Sequence, residues 1–232
     1  TGNTRLSCAG GLFLNVKLNQ RLWSTGRLAA QHIFPNPGDA GLALGAALYV
    51  HHRVNADAPI QALPHLYWGP AYSDEQIAKV LAERKLTAAL RSDLAAAVAG
   101  LLAKDKIVGW FQGRMEFGPR ALGARSILAD PRDPKMRDTL NMKIKFREGF
   151  RPFAPSVLLD KAPEWFEIDC DSPYMLLVAQ VREGKRTIPS VTHVDNSARL
   201  QTVTREEAPL YYDVIREFER ITGVPLVINT SF

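Results

Sequence analysis

The chain has 232 residues, of which 46% are hydrophobic and 23% charged, the balance of a folded globular protein and not of a disordered one. No apolar run reaches the ~20 residues of a membrane-spanning helix; Gly41 to Val50 is about half that length. Lys and Arg exceed Asp and Glu by five, which points to an anionic partner: phosphates, nucleic acid or a carboxylated substrate.

In chain order, Leu12 to Val16 is short and apolar and predicts a strand. Phe34 to Asp39 is a Pro/Gly/Asn turn, and Asp39 stands where an N-cap is wanted ahead of a helix over Ala40 to Val50. Arg53 to Gly69 is Pro-rich and predicts a linker between domains. Ser73 and Gln76 have capping-box spacing, and Ser92 predicts the start of a second helix with Leu94, Val98, Leu101 and Leu102 on its apolar face. Ile107 to Phe111 predicts a buried strand. Asp133-Pro134 opens a helix with Met136, Leu140 and Ile144 on one face. Strands are expected over Phe153 to Leu159, Tyr174 to Val181, Ala198 to Val203 and Pro225 to Ile228. Leu210, Val214, Phe218 and Ile221 mark an amphipathic helix closed by Gly223. The βαβ rhythm fails after residue 100, so a mixed sheet is expected.

Cys8 and Cys170 lie far apart, which excludes a disulfide framework or a cysteine-rich zinc site and favours a reducing compartment. With no signal-peptide pattern at the start, the expected location is cytoplasmic. The chain opens on Thr1-Gly2-Asn3-Thr4 and stops at Asn229-Thr230-Ser231-Phe232, so a fragment of something longer is expected.

The whole charge surplus lies between Trp110 and Arg151, which holds ten basic and five acidic residues. Arg114, Arg120 and Arg125 sit among Gly113, Gly118, Pro119 and Gly123, a pattern that suits phosphate oxygens better than a solvated turn. Lys143, Lys145, Arg147 and Arg151 interleave with Ile144, Phe146 and Phe150. That interleaving fits a base-stacking platform, but core packing is the expected role of both Phe residues and ligand contact that of the cations. His193 and Asp195 share one face of an extended segment and read equally as half a metal site or as a satisfied pair. On spacing alone, Asp39 reads as an N-cap, and Asn229 to Ser231 as a ligand loop or a plain turn.

Taken together, Gly109 to Arg132, Phe150 to Pro155, Ala198 to Val203, Asn229 to Phe232, Ala9 to Asn15 and Pro37 to Gly41 resemble the carbamoyltransferase family of nodulation-factor and antibiotic O-carbamoyltransferases. The resemblance implies an α/β (α+β) chain in two parts. Residues 1–66 would be the tail of a Kae1-like domain of the actin/Hsp70 ATPase type plus a linker, and 67–232 a YrdC-like mixed-sheet domain. It implies that ATP and carbamoyl phosphate form carbamoyl-adenylate with release of pyrophosphate, and that the carbamoyl group then passes to a hydroxylated small-molecule acceptor. Arg120, Lys145, Arg199 and Ser231 match the family's catalytic and ligand-binding positions. Arg114, Arg125, Arg147, Arg151 and Asn229 are added as nucleotide-binding residues, and Asp39 resembles a ligand of a divalent metal, iron being expected. The family's His-x-x-x-His pair has no counterpart here, so the metal site is expected to be incomplete. No membrane partner is expected, nucleic acid is not the favoured partner, and a homodimer is compatible with the resemblance. The rival readings are an RNA-binding module and a non-catalytic regulatory nucleotide-binding domain.

Overall fold

The computed structural model describes residues 2–60 and 63–232. Near the N-terminus, β1 (Arg5–Cys8) pairs in parallel with β2 (Ala30–Ile33). Between them the expected strand over Leu12 to Val16 is absent. Gly11–Leu14 forms a 3-10 turn and α1 (Val16–Trp23) follows, because the Asn15 side chain accepts a hydrogen bond from Leu18 N–H and caps a helix. After β2, Asp39–Gly41 is another 3-10 turn and α2 (Leu42–Val54) starts beyond it. Asp39 makes no capping hydrogen bond, which corrects the N-cap reading.

Ser73 and Gln76 form the expected capping box at the start of α3 (Asp74–Glu83). Asp93, not Ser92, precedes α4 (Leu94–Leu102), which buries Val98 and Leu102 and leaves Leu101 exposed. In order there follow β3 (Val108–Phe111), β4 (Arg125–Ala129), α5 (Met136–Leu140), β5 (Ala154–Leu158) and α6 (Ala162–Trp165). The chain ends with β6 (Ala179–Gln180), β7 (Ser197–Ala198), β8 (Gln201–Val203), α7 (Pro209–Thr222) and β9 (Leu226–Ser231).

Five strands make one mixed sheet in the order β3-β4-β9-β5-β8, antiparallel except for the parallel pair β5 and β8. The mixture is the one expected from the broken βαβ rhythm. Val214, Ile215 and Phe218 of α7 are buried with Val98 and Leu102 of α4 and with Val157, Leu226 and Val227 of the sheet in one core. Gly223, left-handed at φ 75°, ends α7 as expected.

Four further expectations fail. After α5 the chain makes a wider π turn over Asn141–Lys145. This turn carries Ile144 out of the stripe of Met136 and Leu140, so Ile144 is exposed while the other two are buried. Phe146 and Phe150 are not core: they are 84% and 78% exposed, and it is Phe153 that fills the interior. Of Tyr174 to Val181 only β6 is strand, because the stretch before it receives the N-terminal segment instead, with Asn19 Nδ2 donating to Leu176 O at 2.9 Å. Ala198 to Val203 divides between two sheets, and Arg199 and Leu200 lie at the crossing.

The Pro-rich stretch has neither helix nor strand among its described residues beyond Val54, but its end is anchored. Leu66 is buried, Leu66 O accepts from Phe117 N–H at 2.7 Å, and Tyr67 OH donates to Leu122 O at 3.0 Å. Among the described residues no helix is long and apolar enough to cross a membrane.

Candidate active site

A cavity of about 380 Å³ opens at the end of the sheet where β9 finishes and β5 begins. Arg120 comes to it from the loop before β4, Lys145 from the π turn, Arg147 and Arg151 from the loop before β5, and Arg199 from the crossing between β7 and β8. Asn229, Thr230 and Ser231 form the wall contributed by β9, and Val16 of α1 and His193 complete other parts. Of the nine residues expected to act as catalytic or nucleotide-binding groups, seven meet here: Arg120, Lys145, Arg147, Arg151, Arg199, Asn229 and Ser231.

The electrostatics are those of a site built for an anion. Arg151 pairs with Glu148 at 2.8 Å, but among the described residues Arg120, Lys145, Arg147 and Arg199 form no salt bridge. Burial alone pushes the Arg120 guanidinium below its ordinary pKa. Arg199 is lowered to about 10, first by burial and then by Arg120 and Arg147. Lys145 is lowered by burial and by Arg147; Arg147 is lowered by burial and Arg151, with Glu148 opposing. The Nε atoms of Arg120 and Arg199 are buried with no hydrogen-bond partner. Four cations held together with donors left over are a poor arrangement for folding and a good one for phosphate oxygens.

Local contacts hold the cations in place. Lys145 Nζ donates to Ser231 O at 2.5 Å and lies 3.5 Å from Ser231 Oγ, which joins the π turn to the end of β9. Arg147 donates to Asn141 Oδ1 at 2.7 Å and lies 4.9 Å over the ring of Phe153. Asn141 is itself buried and donates to Arg151 O at 2.9 Å, so one amide shapes the whole loop from 147 to 151. Sequence reasoning missed Asn141, whose only signal was a polar residue on a buried helical face.

Glu116 was also missed. One carboxylate oxygen accepts from three backbone N–H groups: Leu122 and Ala124 at 2.7 Å and Arg125 at 3.2 Å. This clip bends the glycine-rich loop that carries Arg120. Glu116→Ala leaves three amides without that acceptor, and we expect a loss of about 2–3 kcal/mol in chemical denaturation. Phosphate affinity should fall in the same variant as Arg120 loses its support; titration calorimetry measures that second effect.

Arg114 and Arg125 do not reach the cavity, which corrects their expected role. Arg114 donates to Trp68 O and Gly69 O and fastens the Pro-rich segment to the loop. Arg125 donates to the carbonyls of Gln112, Gly113 and Ala124, with its guanidinium 3.5 Å over the ring of Phe111. Their terminal guanidinium nitrogens face carbonyls of the chain, while Arg125 Nε is buried without a partner away from the cavity.

Ser197 Oγ donates its one proton to Asp195 Oδ1 at 2.7 Å and so accepts from His193 Nδ1–H at 2.9 Å. Lys17 Nζ lies 2.7 Å from the same carboxylate. Of the two readings of His193 and Asp195, the satisfied pair is the one seen, bridged by Ser197. Burial lowers the His193 pKa, helped by Arg199 and Lys17 and opposed by Asp195. Asp39 stands elsewhere, exposed in the wall of a cavity of about 330 Å³ with Cys8 and His32. Among the described residues no group of three His, Cys, Asp or Glu side chains converges on a metal position, so the residues present do not make a complete metal site.

Fold and cavity together define a mixed-sheet α/β protein with a cavity lined by Arg120, Lys145, Arg147, Arg151 and Arg199. The chain belongs to the carbamoyltransferase family: the family's C-terminal part, "Carbamoyltransferase C-terminus", matches residues 99–232, and "Carbamoyltransferase N-terminus" matches residues 1–48. It is 44% identical to Nodulation protein NolO of Bradyrhizobium diazoefficiens, over 100% of this chain and 44% of that protein. It is also 44% identical to protein sll1178 of Synechocystis, over 100% of this chain and 42% of that one. Nodulation protein U of Rhizobium tropici is 43% identical over 99% of this chain and 38% of its own length. The chain thus spans less than half the length of these curated relatives.

Proposed function

We propose that the cavity binds the phosphate groups of carbamoyl phosphate and ATP, forming carbamoyl-adenylate for transfer of the carbamoyl group to an acceptor hydroxyl. One observation carries this reading: Arg120, Lys145, Arg147 and Arg199 converge with no salt-bridge partner among the described residues, and the Nε atoms of Arg120 and Arg199 are buried without a hydrogen bond there. The volume, at the small end of ligand cavities, suits carbamoyl phosphate or the phosphate end of a nucleotide.

The reaction requires two bonds to break. Water takes the phosphoryl group of carbamoyl phosphate, releasing inorganic phosphate and carbamate. A carbamate oxygen then bonds to the α-phosphorus of ATP as the bond to the β-phosphate bridge breaks, and pyrophosphate leaves. Both steps gather negative charge on departing oxygens. Preplaced cations stabilise that charge most where water is excluded. Arg120 and Arg199, the more buried, would grip the reacting phosphates. Lys145, fixed against Ser231, would hold a second oxygen, while Arg147 and Arg151 neutralise the leaving groups nearer the mouth. Asp39 remains a proposal for the metal of the longer proteins, and no step here runs through a metal. Transfer to the acceptor is likewise proposed of the whole protein, in which a Kae1-like part would receive the activated carbamoyl group.

Calorimetric titration tests the assignment. Arg120→Ala and Lys145→Ala should each weaken binding of carbamoyl phosphate or ATP by about ten- to a hundredfold, the range for hydrogen bonds to charged groups. Unchanged affinity in both would overturn it. The exposed Phe146 and Phe150 beside Lys145, Arg147 and Arg151 favour a second reading, a single-stranded nucleic-acid platform. RNA binding with a steep salt slope and no competition from ATP would favour that alternative. The cations converge on one cavity of about 380 Å³, which supports the small anion.

A further inference from the structure

A water that takes a phosphoryl group must give up a proton as its oxygen bonds to phosphorus, so the first step above needs a base. Among the described residues no Asp or Glu lines the cavity. Its five cations can only donate, and the hydroxyls of Thr230 and Ser231 are too weakly basic to take the proton. His193 is the one ionisable side chain of that wall with a basic lone pair to offer.

The tautomer of His193 follows from its neighbours. Lys17 and Ser197 hold the Asp195 carboxyl well below the usual carboxylate range, so it is ionised and takes the Ser197 hydroxyl proton, Oγ to Oδ1 at 2.7 Å. Ser197 Oγ then offers only lone pairs to His193 Nδ1 at 2.9 Å, which places the ring hydrogen on Nδ1. Nε2 keeps its lone pair. It has no hydrogen-bond partner among the described residues and is not enclosed, so solvent reaches it on a side chain that lines the cavity. Three charged groups act on the ring besides its burial. Arg199 and Lys17 join burial in lowering the pKa, Asp195 opposes them, and the ring is uncharged at neutral pH.

Resting on the carbamoyl-phosphate reading above, we propose that His193 is the general base of the first step. Nε2 takes one proton of the attacking water while the water oxygen bonds to phosphorus and the bond from phosphorus to the carbamoyl oxygen breaks. Carbamate leaves with that electron pair, and the proton on Nε2 passes to the new phosphate or to solvent. Ser197 and Asp195 are positioning residues. They fix the tautomer, and the carboxylate supports the imidazolium through the hydroxyl between them.

Phosphate release from carbamoyl phosphate, with and without ATP and corrected for spontaneous breakdown, is measured beside calorimetric titration of the same ligand. His193→Gln cannot take the proton and should slow release about a hundredfold, with affinity for carbamoyl phosphate kept within about threefold. A merely structural role would weaken affinity and rate together. In wild type, kcat/KM should fall on the acid side as Nε2 is protonated. Asp195→Asn, at an exposed position, should move that acid limb to lower pH, because it removes the one charge that holds the ring's pKa up. Release by His193→Gln at the wild-type rate overturns the role. Should His193→Gln not fold, an acid limb that stays in place in Asp195→Asn overturns it. Wild type that binds carbamoyl phosphate yet releases no phosphate above background also overturns it, with the anion reading intact. Failure of wild type to bind carbamoyl phosphate would instead overturn that reading, and the role with it.

Discussion

Arg199→Met should lose phosphate affinity about a hundredfold and, in the absence of ligand, melt a few degrees higher than wild type. The first effect follows from removing a charge-assisted donor set in a buried site, at the upper end for such hydrogen bonds. The second follows from the sign of the Arg199 shift. Its folded-state pKa is lowered from the ordinary guanidinium value to about 10, so the charged form is disfavoured by folding. That penalty is present in full below about pH 10 and is relieved only as the pH rises above that value toward the ordinary guanidinium pKa. At neutral pH the ligand-free protein therefore carries all of it. Discounting for the water that reaches the open cavity, relief of about 1 kcal/mol corresponds to about 3 °C for a chain of this size. Calorimetric titration reads the affinity and differential scanning calorimetry the melting point. A variant that lost both affinity and stability would mean that Arg199 is a structural cation after all.

Gly123→Ala should be the most destabilising single methyl in the cationic loop, costing about 4 kcal/mol from overpacking and backbone strain combined. Gly123 sits at φ +106°, and a Cβ there would clash with Cδ1, Cε1 and Cγ of the fully buried Tyr211. The residue is also tied at both ends of its peptide unit. Its carbonyl accepts from Trp110 Nε1 at 2.7 Å and Gln112 Nε2 at 2.9 Å, and its N–H donates to Ser126 Oγ at 3.1 Å. The loop therefore cannot slide aside. Urea denaturation measures the loss, and Tyr211→Leu in the same chain should recover part of it by opening the space. Full recovery is not expected, because the backbone strain at φ +106° remains.

The chemistry of the cavity was legible in the sequence and its construction was not. Arg120, Lys145, Arg199 and Ser231 were named from motif positions separated by up to about a hundred residues, and the fold brings all four to one cavity. Arg114 and Arg125 share the same motif and the same charge, yet their guanidinium groups face carbonyls of the folded loop. Nothing in a one-dimensional pattern tells an arginine that binds a ligand from one that binds its own backbone. The failure at Ile144, Phe146 and Phe150 has a different cause. A spacing of four assumes an α-helix, and the π turn over Asn141–Lys145 changes the phase just where the cations begin. α7, with its regular burial, was read nearly to its ends, whereas β9 runs three residues past the expected Ile228, so Asn229 to Ser231 are strand and not the loop or turn that their polar side chains suggested.

Val16 belongs to α1, while nearly every other residue around the anion cavity belongs to the sheet or its loops. Lys17, next to Val16, meets Asp195, and at the other end of the helix Trp23 Nε1 donates to Asp169 at 2.9 Å, so this helix is laid against the sheet region from the cavity wall outward. A ligand that needs that wall complete binds the docked arrangement and not a separated one. By linkage, filling the cavity to a hundred times the dissociation constant adds about 2.7 kcal/mol to the docked state. The small anion would then serve as a clasp, holding the first family segment to the second whenever substrate is present.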